Sequence, residues 1–81
     1  MFYIRKLERY TVICDGRKYS HRMPLDTLER AQELAAKLCN RYEKRVDVYE
    51  ANGRACTPDN YVGCCEFEEY MDTGAYWIPK E

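Results

Sequence analysis

The sequence predicts an α+β domain: an antiparallel sheet of four or five strands with one helix packed on one face, in ββαββ-type order. Three observations carry that expectation. Asp15-Gly16 stands between two strand-like stretches and is a two-residue hairpin signal, because both central positions of a type I′ turn need positive φ. Leu28, Ala31, Leu34, Ala35, Leu38 and Tyr42 recur at helical spacing and form one stripe. Val46-Asp47-Val48-Tyr49-Glu50 alternates as a strand and runs to Asn52-Gly53, the strongest turn dipeptide in the chain.

Residues 2–14 form the first strand. Tyr10, Val12 and Cys14 share one face and Thr11 and Ile13 the other. The less regular start, FYIRKLER, is expected to carry a bulge. Arg17 to Arg22 returns as a second strand with one exposed face, and Pro24 ends it. Asp26-Thr27-Leu28-Glu29 reads as a helix start, with Asp26 accepting from orphan N–H groups and Glu29 reaching back from the third position. The helix covers 26–44. Glu33→Lys37 is a favourable i,i+4 pair, worth about 0.3–0.5 kcal/mol when exposed. Arg41, Lys44 and Arg45 crowd the C-terminal end, where the macrodipole favours positive charge.

A short strand around Arg54 to Thr57 should follow the Asn52-Gly53 turn, then a Pro58-Asp59-Asn60 loop. Residues 61–71 fit a strand, or a helix capped by Asp59 and stopped at Gly74. Phe67 and Met71 fall on one side in both readings, being four residues apart. The strand is preferred, since Gly63 weakens a helix interior and aromatic residues favour sheets. Cys65, Phe67 and Met71 then face inward, and Glu66, Glu68, Tyr70 and Asp72 face outward together. Asp72-Thr73-Gly74 turns the chain into Ala75-Tyr76-Trp77-Ile78, and Pro79 closes this last strand at an edge. The expected core is Val12, Leu28, Ala31, Leu34, Leu38, Val46, Val48, Phe67 and Ile78, with Trp77 also read as a core residue.

Eighty-one residues make one domain, 1–81, and 46% hydrophobic content supports a packed core. The net charge of −1 hides an asymmetry. Residues 1–45 hold eleven Lys/Arg against six Asp/Glu, and residues 46–81 hold two against eight. No apolar run approaches the roughly 20 residues that span a bilayer. The start, MFYIRKLERY, lacks the apolar region of a signal peptide. The expectation is a cytoplasmic protein with reduced thiols and no membrane partner.

Catalytic chemistry finds little to work with. His21 is the lone histidine, and its neighbour Ser20 points the other way in a strand. The acids beside Cys64 and Cys65 are expected to raise a thiol pKa, which opposes a nucleophile. No enzyme, catalytic residue or cofactor is expected. Cys14, Cys39, Cys56, Cys64 and Cys65 lack the two-to-four-residue spacing of structural zinc ligands, so most should act as small apolar groups; a zinc site built from some of them is the third-ranked reading.

Two binding readings rank above zinc. The leading one is protein binding through Glu66, Glu68, Tyr70, Asp72 and Tyr76, a carboxylate comb with aromatic anchors suited to a basic surface on a larger protein or nucleoprotein complex. The alternative is nucleic-acid binding through the first hairpin, where Arg5, Arg9, Arg17, Lys18 and Arg22 neutralise phosphates and Tyr19 stacks on bases. A pI of 5.8 argues against the alternative.

The Asp15-Gly16 hairpin, the Ala-rich helix opening at Asp26-x-x-Glu29, and Val46-x-Val48-Tyr49 running to Asn52-Gly53 together resemble short bacterial ββαβ domains of unknown function. In size, layout, Tyr content and acidic segment the whole chain looks like phage-encoded inhibitors of host defence, anti-CRISPR proteins among them. That resemblance implies a non-enzymatic inhibitor that docks on a defence complex and blocks its nucleic-acid site, in some cases by presenting carboxylates where phosphates would sit.

Overall fold

A computed structural model describes residues 9–19, 25–51, 55–68 and 74–80. Strands β1 (Thr11–Cys14), β2 (Arg17–Tyr19), β3 (Val46–Tyr49), β4 (Tyr61–Phe67) and β5 (Ala75–Pro79) form one antiparallel sheet in the order β2-β1-β3-β4-β5. Helix α1 (Leu28–Tyr42) packs across one face, against β1, β3, β4 and β5. The architecture is α+β with element order ββαββ. Among the described residues no helix is long and apolar enough to cross a membrane.

The first turn forms as its residues demand: Asp15 and Gly16 have φ of 53° and 78°. Val12 and Cys14 are fully buried, and Ile13 lies on the opposite face. Cys14, Val46, Cys65 and Trp77 align across the sheet, as do Val12, Val48 and Gly63 one pair along. These rows carry the face under α1, which buries Ala31, Leu34, Ala35, Leu38 and Cys39 against them. Leu28 and Phe67 pack on the rim.

The structure places some residues differently. The helix spans 28–42, two residues shorter at each end than the expected 26–44: Thr27 caps it, its hydroxyl accepting from the Arg30 N–H at 3.2 Å. Asp26 instead holds the Arg30 side chain at 2.9 Å, four residues on. The expected Glu33–Lys37 pair does not form, and Tyr42, at the end of the stripe, is 42% exposed. Glu43 ends the helix in the left-handed region (φ 55°), its N–H bonded to the Cys39 carbonyl.

No strand forms over 55–57. The Asn60 side chain accepts from the Thr57 N–H and donates to the Ala55 carbonyl, occupying groups a strand ladder would need. Ile78 lies opposite Cys64 on the far face of the sheet, outside the core cluster, while its neighbour Trp77 packs inward. Residues 61–67 are strand, and the continuation to Met71 lies outside the described residues, as do residues 2–8 of the first strand, Pro24 and the Asn52-Gly53 turn.

Two irregularities shape the β4 side. Tyr49 pairs with Tyr61 and Val48 with Gly63, so Val62 is an extra residue on β4. It packs on the core beside Gly63, and Tyr61 is thereby switched to the face away from the helix. On β5, Lys80 N–H bonds to the Val62 carbonyl and Glu68 N–H to the Gly74 carbonyl. Antiparallel alternation then directs the backbone groups of Trp77 and Pro79 away from β4, toward the free edge.

Candidate functional site

The sheet face opposite α1 is the candidate surface. Its β3–β5 half collects Asp47 and Tyr49 from β3, Tyr61, Cys64 and Glu66 from β4, and Tyr76 and Ile78 from β5. Asp47 and Tyr49 get there by simple alternation with the buried Val46 and Val48. Tyr61 gets there through the bulge. Arg45, just before β3, folds back over the same face.

These side chains hold one another. Arg45 donates from Nε to Asp47 at 3.0 Å and from Nη2 to the Tyr61 hydroxyl at 3.0 Å. The Tyr61 hydroxyl donates to Asp47 at 3.4 Å, and its ring meets Tyr49 edge-on at 5.3 Å. The third nitrogen of Arg45, Nη1, lies 3.8 Å from Glu66, which accepts from the Tyr76 hydroxyl at 3.3 Å. The chain of contacts spans three strands.

Its electrostatics fix the protonation states. The Tyr61 hydrogen bond, then Asp47, hold Arg45 above the ordinary guanidinium range. Burial, helped by a hydrogen bond with Cys64, pushes Tyr61 up to about 12. Burial and then Asp47 raise Tyr49; desolvation, followed by Glu66 and Glu68, raises Tyr76. All three phenols stay neutral at physiological pH and serve as hydrogen-bond donors on an apolar body.

Of the comb expected from the sequence, Glu66, Glu68 and Tyr76 do come together, and Tyr70 and Asp72 lie outside the described residues. Glu66 is already engaged by Arg45 and Tyr76, so the row is a braced surface more than a set of free carboxylates. Sequence reasoning missed Arg45, Asp47, Tyr49 and Tyr61. The alternation of Val46 to Tyr49 was signal enough for Asp47 and Tyr49.

Among its described residues the first hairpin builds no stacking platform of its own. Tyr10 is buried, and Tyr19 packs on the core and on Tyr42, with ring centroids 6.2 Å apart. Arg9 pairs with Glu50 at 3.4 Å, whereas Arg17 and Lys18 are exposed. Arg5, Arg22 and His21 lie outside the described residues.

The cysteines are free. Cys14, Cys39 and Cys65 form a thiol layer between sheet and helix, and Cys64 is buried on the opposite side of β4. Burial raises Cys14 and Cys39 and pushes Cys65 up to about 11. The expected cause at Cys65, the neighbouring acids, gives way to desolvation and the Cys39 and Cys64 thiols. Among the described residues no three His, Cys, Asp or Glu side chains are arranged to hold a metal ion. A shallow depression of about 320 Å³, lined by Glu50, Asp59, Asn60, Tyr61 and Val62, adjoins the open face.

Comparison with protein-family models, with curated proteins and with solved structures finds no significant match for this chain.

Proposed function

We propose that the chain is a non-enzymatic protein-binding module, an inhibitor or adaptor, that docks the β3–β5 half of its open sheet face on a basic surface of a larger protein or nucleoprotein complex. The observation that carries this reading is the braced set Arg45, Asp47, Tyr61, Glu66 and Tyr76 on a face that α1 leaves bare. Tyr and Arg are the side chains that most often dominate binding energy. Here hydrogen bonds hold them in place beforehand, which reduces an ordering cost of about 0.5–1.5 kcal/mol per side chain.

Charge sets the kind of partner. Among the described residues of this half of the sheet, Asp47, Glu66 and Glu68 stand against Arg45 and, just past β5, Lys80, whose ammonium is turned to the Pro58 carbonyl, so the patch is net negative and steers toward positive surfaces. The resemblance to phage inhibitors of host defence fits the same geometry, with carboxylates taking the place of phosphates on a nucleic-acid-handling complex. The non-enzymatic part rests on the thiols: burial keeps Cys14, Cys39 and Cys65 protonated, and so poor nucleophiles.

Co-purification from the source host tests the assignment, using wild type, Tyr61→Ala/Tyr76→Ala and Glu66→Lys/Glu68→Lys, each checked for folding by circular dichroism. A partner recovered with wild type and reduced at least tenfold by both variants is expected. Recovery unchanged by both variants at low salt overturns the assignment.

A further inference from the structure

Asn60 stands at a junction. It closes the Pro58–Asn60 turn and immediately precedes β4. All four of its polar groups are engaged. Its N–H donates to the Thr57 carbonyl at 3.2 Å, and its side-chain oxygen accepts from the Thr57 N–H at 2.9 Å. Its side-chain nitrogen donates to the Ala55 carbonyl at 2.9 Å, and its own carbonyl accepts from the Glu50 N–H at 2.8 Å. The first three bonds fasten Asn60 to the 55–57 segment, and the fourth fastens it to the end of β3. Asparagine carries an acceptor and a donor on one short side chain, which is what this double hold needs.

The Glu50 N–H has a competing acceptor. Lys80 N–H meets the Val62 carbonyl, so even-numbered residues of β4 turn their backbone groups to β5 and odd-numbered ones to β3. Val46 pairs with Cys65 and Val48 with Gly63. An unbroken ladder would therefore set Glu50 opposite Tyr61 and send its N–H to the Tyr61 carbonyl. Val62 would then stand opposite Tyr49 on the open face, and Tyr61 would turn to the helix side. The two arrangements differ by one residue on β4, and they exchange which side chain faces Arg45 and Asp47. In the structure the Asn60 carbonyl takes the Glu50 N–H and Val62 is the extra residue. The Tyr61 hydroxyl then meets Arg45 at 3.0 Å and Asp47 at 3.4 Å. We propose that Asn60 is the positioning residue of the open face: by holding its carbonyl against the Glu50 N–H it selects the bulged register, and without that hold β4 slips by one residue and withdraws Tyr61 from the cluster.

Tyr61 and Val62 do not make this choice themselves, since tyrosine and valine are both strand formers and either fits a pleated face. The ladder below them, from Val48 to Val46, is the same in both registers. The turn above them is what differs, and Asn60 is its fastening. The inference rests on the docking assignment in one respect: where Tyr61 anchors a partner, loss of Asn60 weakens binding although Asn60 lies outside the Arg45–Asp47–Tyr61 cluster. The register itself is read without a partner, so either assignment can fail alone.

Proton–proton contacts measured by NMR on isotope-labelled full-length protein test the proposal. In wild type the Tyr61 ring should contact the Tyr49 ring, whose centroid lies 5.3 Å away, and the Val62 methyls should contact the core. In Asn60→Ala the ring contact should be lost and the Val62 methyls should contact Tyr49 instead. Deleting Val62 from Asn60→Ala puts Tyr61 directly before Gly63, opposite Tyr49 in an unbroken ladder, and should restore the ring contact. Recovery of a co-purifying partner should fall severalfold in Asn60→Ala; a slipped register with undiminished recovery supports the role of Asn60 and counts against the docking assignment alone. A role in stability only would lower the urea midpoint of Asn60→Ala and leave the wild-type contacts in the folded protein. That result overturns the proposal, as does an Asn60→Ala protein that fails to fold and is not rescued by the deletion.

Discussion

Trp77 lies directly over Gly63: a Cβ on Gly63 would stand 2.6 Å from Trp77 Cζ2 and 2.7 Å from the Ile78 carbonyl oxygen. The bare backbone of β4 is the seat of the indole, and it lets the largest side chain of β5 pack beneath the helix. Gly63→Ala should therefore destabilise the fold by about 1–3 kcal/mol, the range for overpacking a filled interior. Urea denaturation measures it. Trp77→Leu in the same background should return part of the loss, since the two changes act at one contact. A Gly63→Ala protein as stable as wild type would show that the indole is free to move aside.

Glu43 ends α1 with a left-handed backbone that a side chain disfavours by about 1–2 kcal/mol, and its carboxylate sits at the negative end of the helix. Glu43→Gly removes both penalties and adds unfolded-chain entropy. The net expectation is a gain of about 0.5–1 kcal/mol, read as a higher urea midpoint with unchanged m-value.

Thiol reactivity reports the buried layer. Cys56 is the half-exposed cysteine, and Cys14, Cys39, Cys64 and Cys65 are buried. Native protein treated with an aromatic disulfide reagent at pH 8 should release about one equivalent promptly, and all five cysteines should react in denaturant. Cys56→Ser should abolish the prompt phase.

Alkaline pH should destabilise the protein in part through Tyr61. Its ordinary value of 10.0 rises to about 12 in the fold, so the native state keeps a proton that the unfolded chain loses between those limits. The contribution is fully present below pH 10 and disappears as pH climbs toward 12. Urea midpoints at pH 8, 10 and 11 under reducing conditions should fall with pH, and fall less steeply in Tyr61→Phe. Phenolate absorbance near 295 nm should show one fewer late-titrating tyrosine in that variant.

What could be read from the sequence is what periodicity and turn chemistry encode. Asp15-Gly16 had to turn, the helical stripe had to bury Ala31, Leu34 and Leu38, and alternation put Glu66 and Glu68 on one face. Alternation cannot choose between adjacent apolar residues, however, so the sequence puts both Trp77 and Ile78 in the core; the notch at Gly63 selects Trp77 alone. Nor does periodicity mark an extra residue. Val62 is as strand-like as its neighbours, and only pairing with β3 reveals the bulge that carries Tyr61 to the braced cluster. Thr27 and Asp26 are near-equal caps by propensity. Arg30 separates them, taking the carboxylate with its side chain and the hydroxyl with its N–H.

Pro79 occupies a β5 position whose amide would point outward, and proline has no hydrogen there to give. At the other end β2 offers three residues, two of them cationic. Among the described residues neither margin invites another chain to continue the ladder, which discourages fibrillar stacking. Recognition is left to surface chemistry, where a single codon change alters what is bound while the scaffold beneath stays intact.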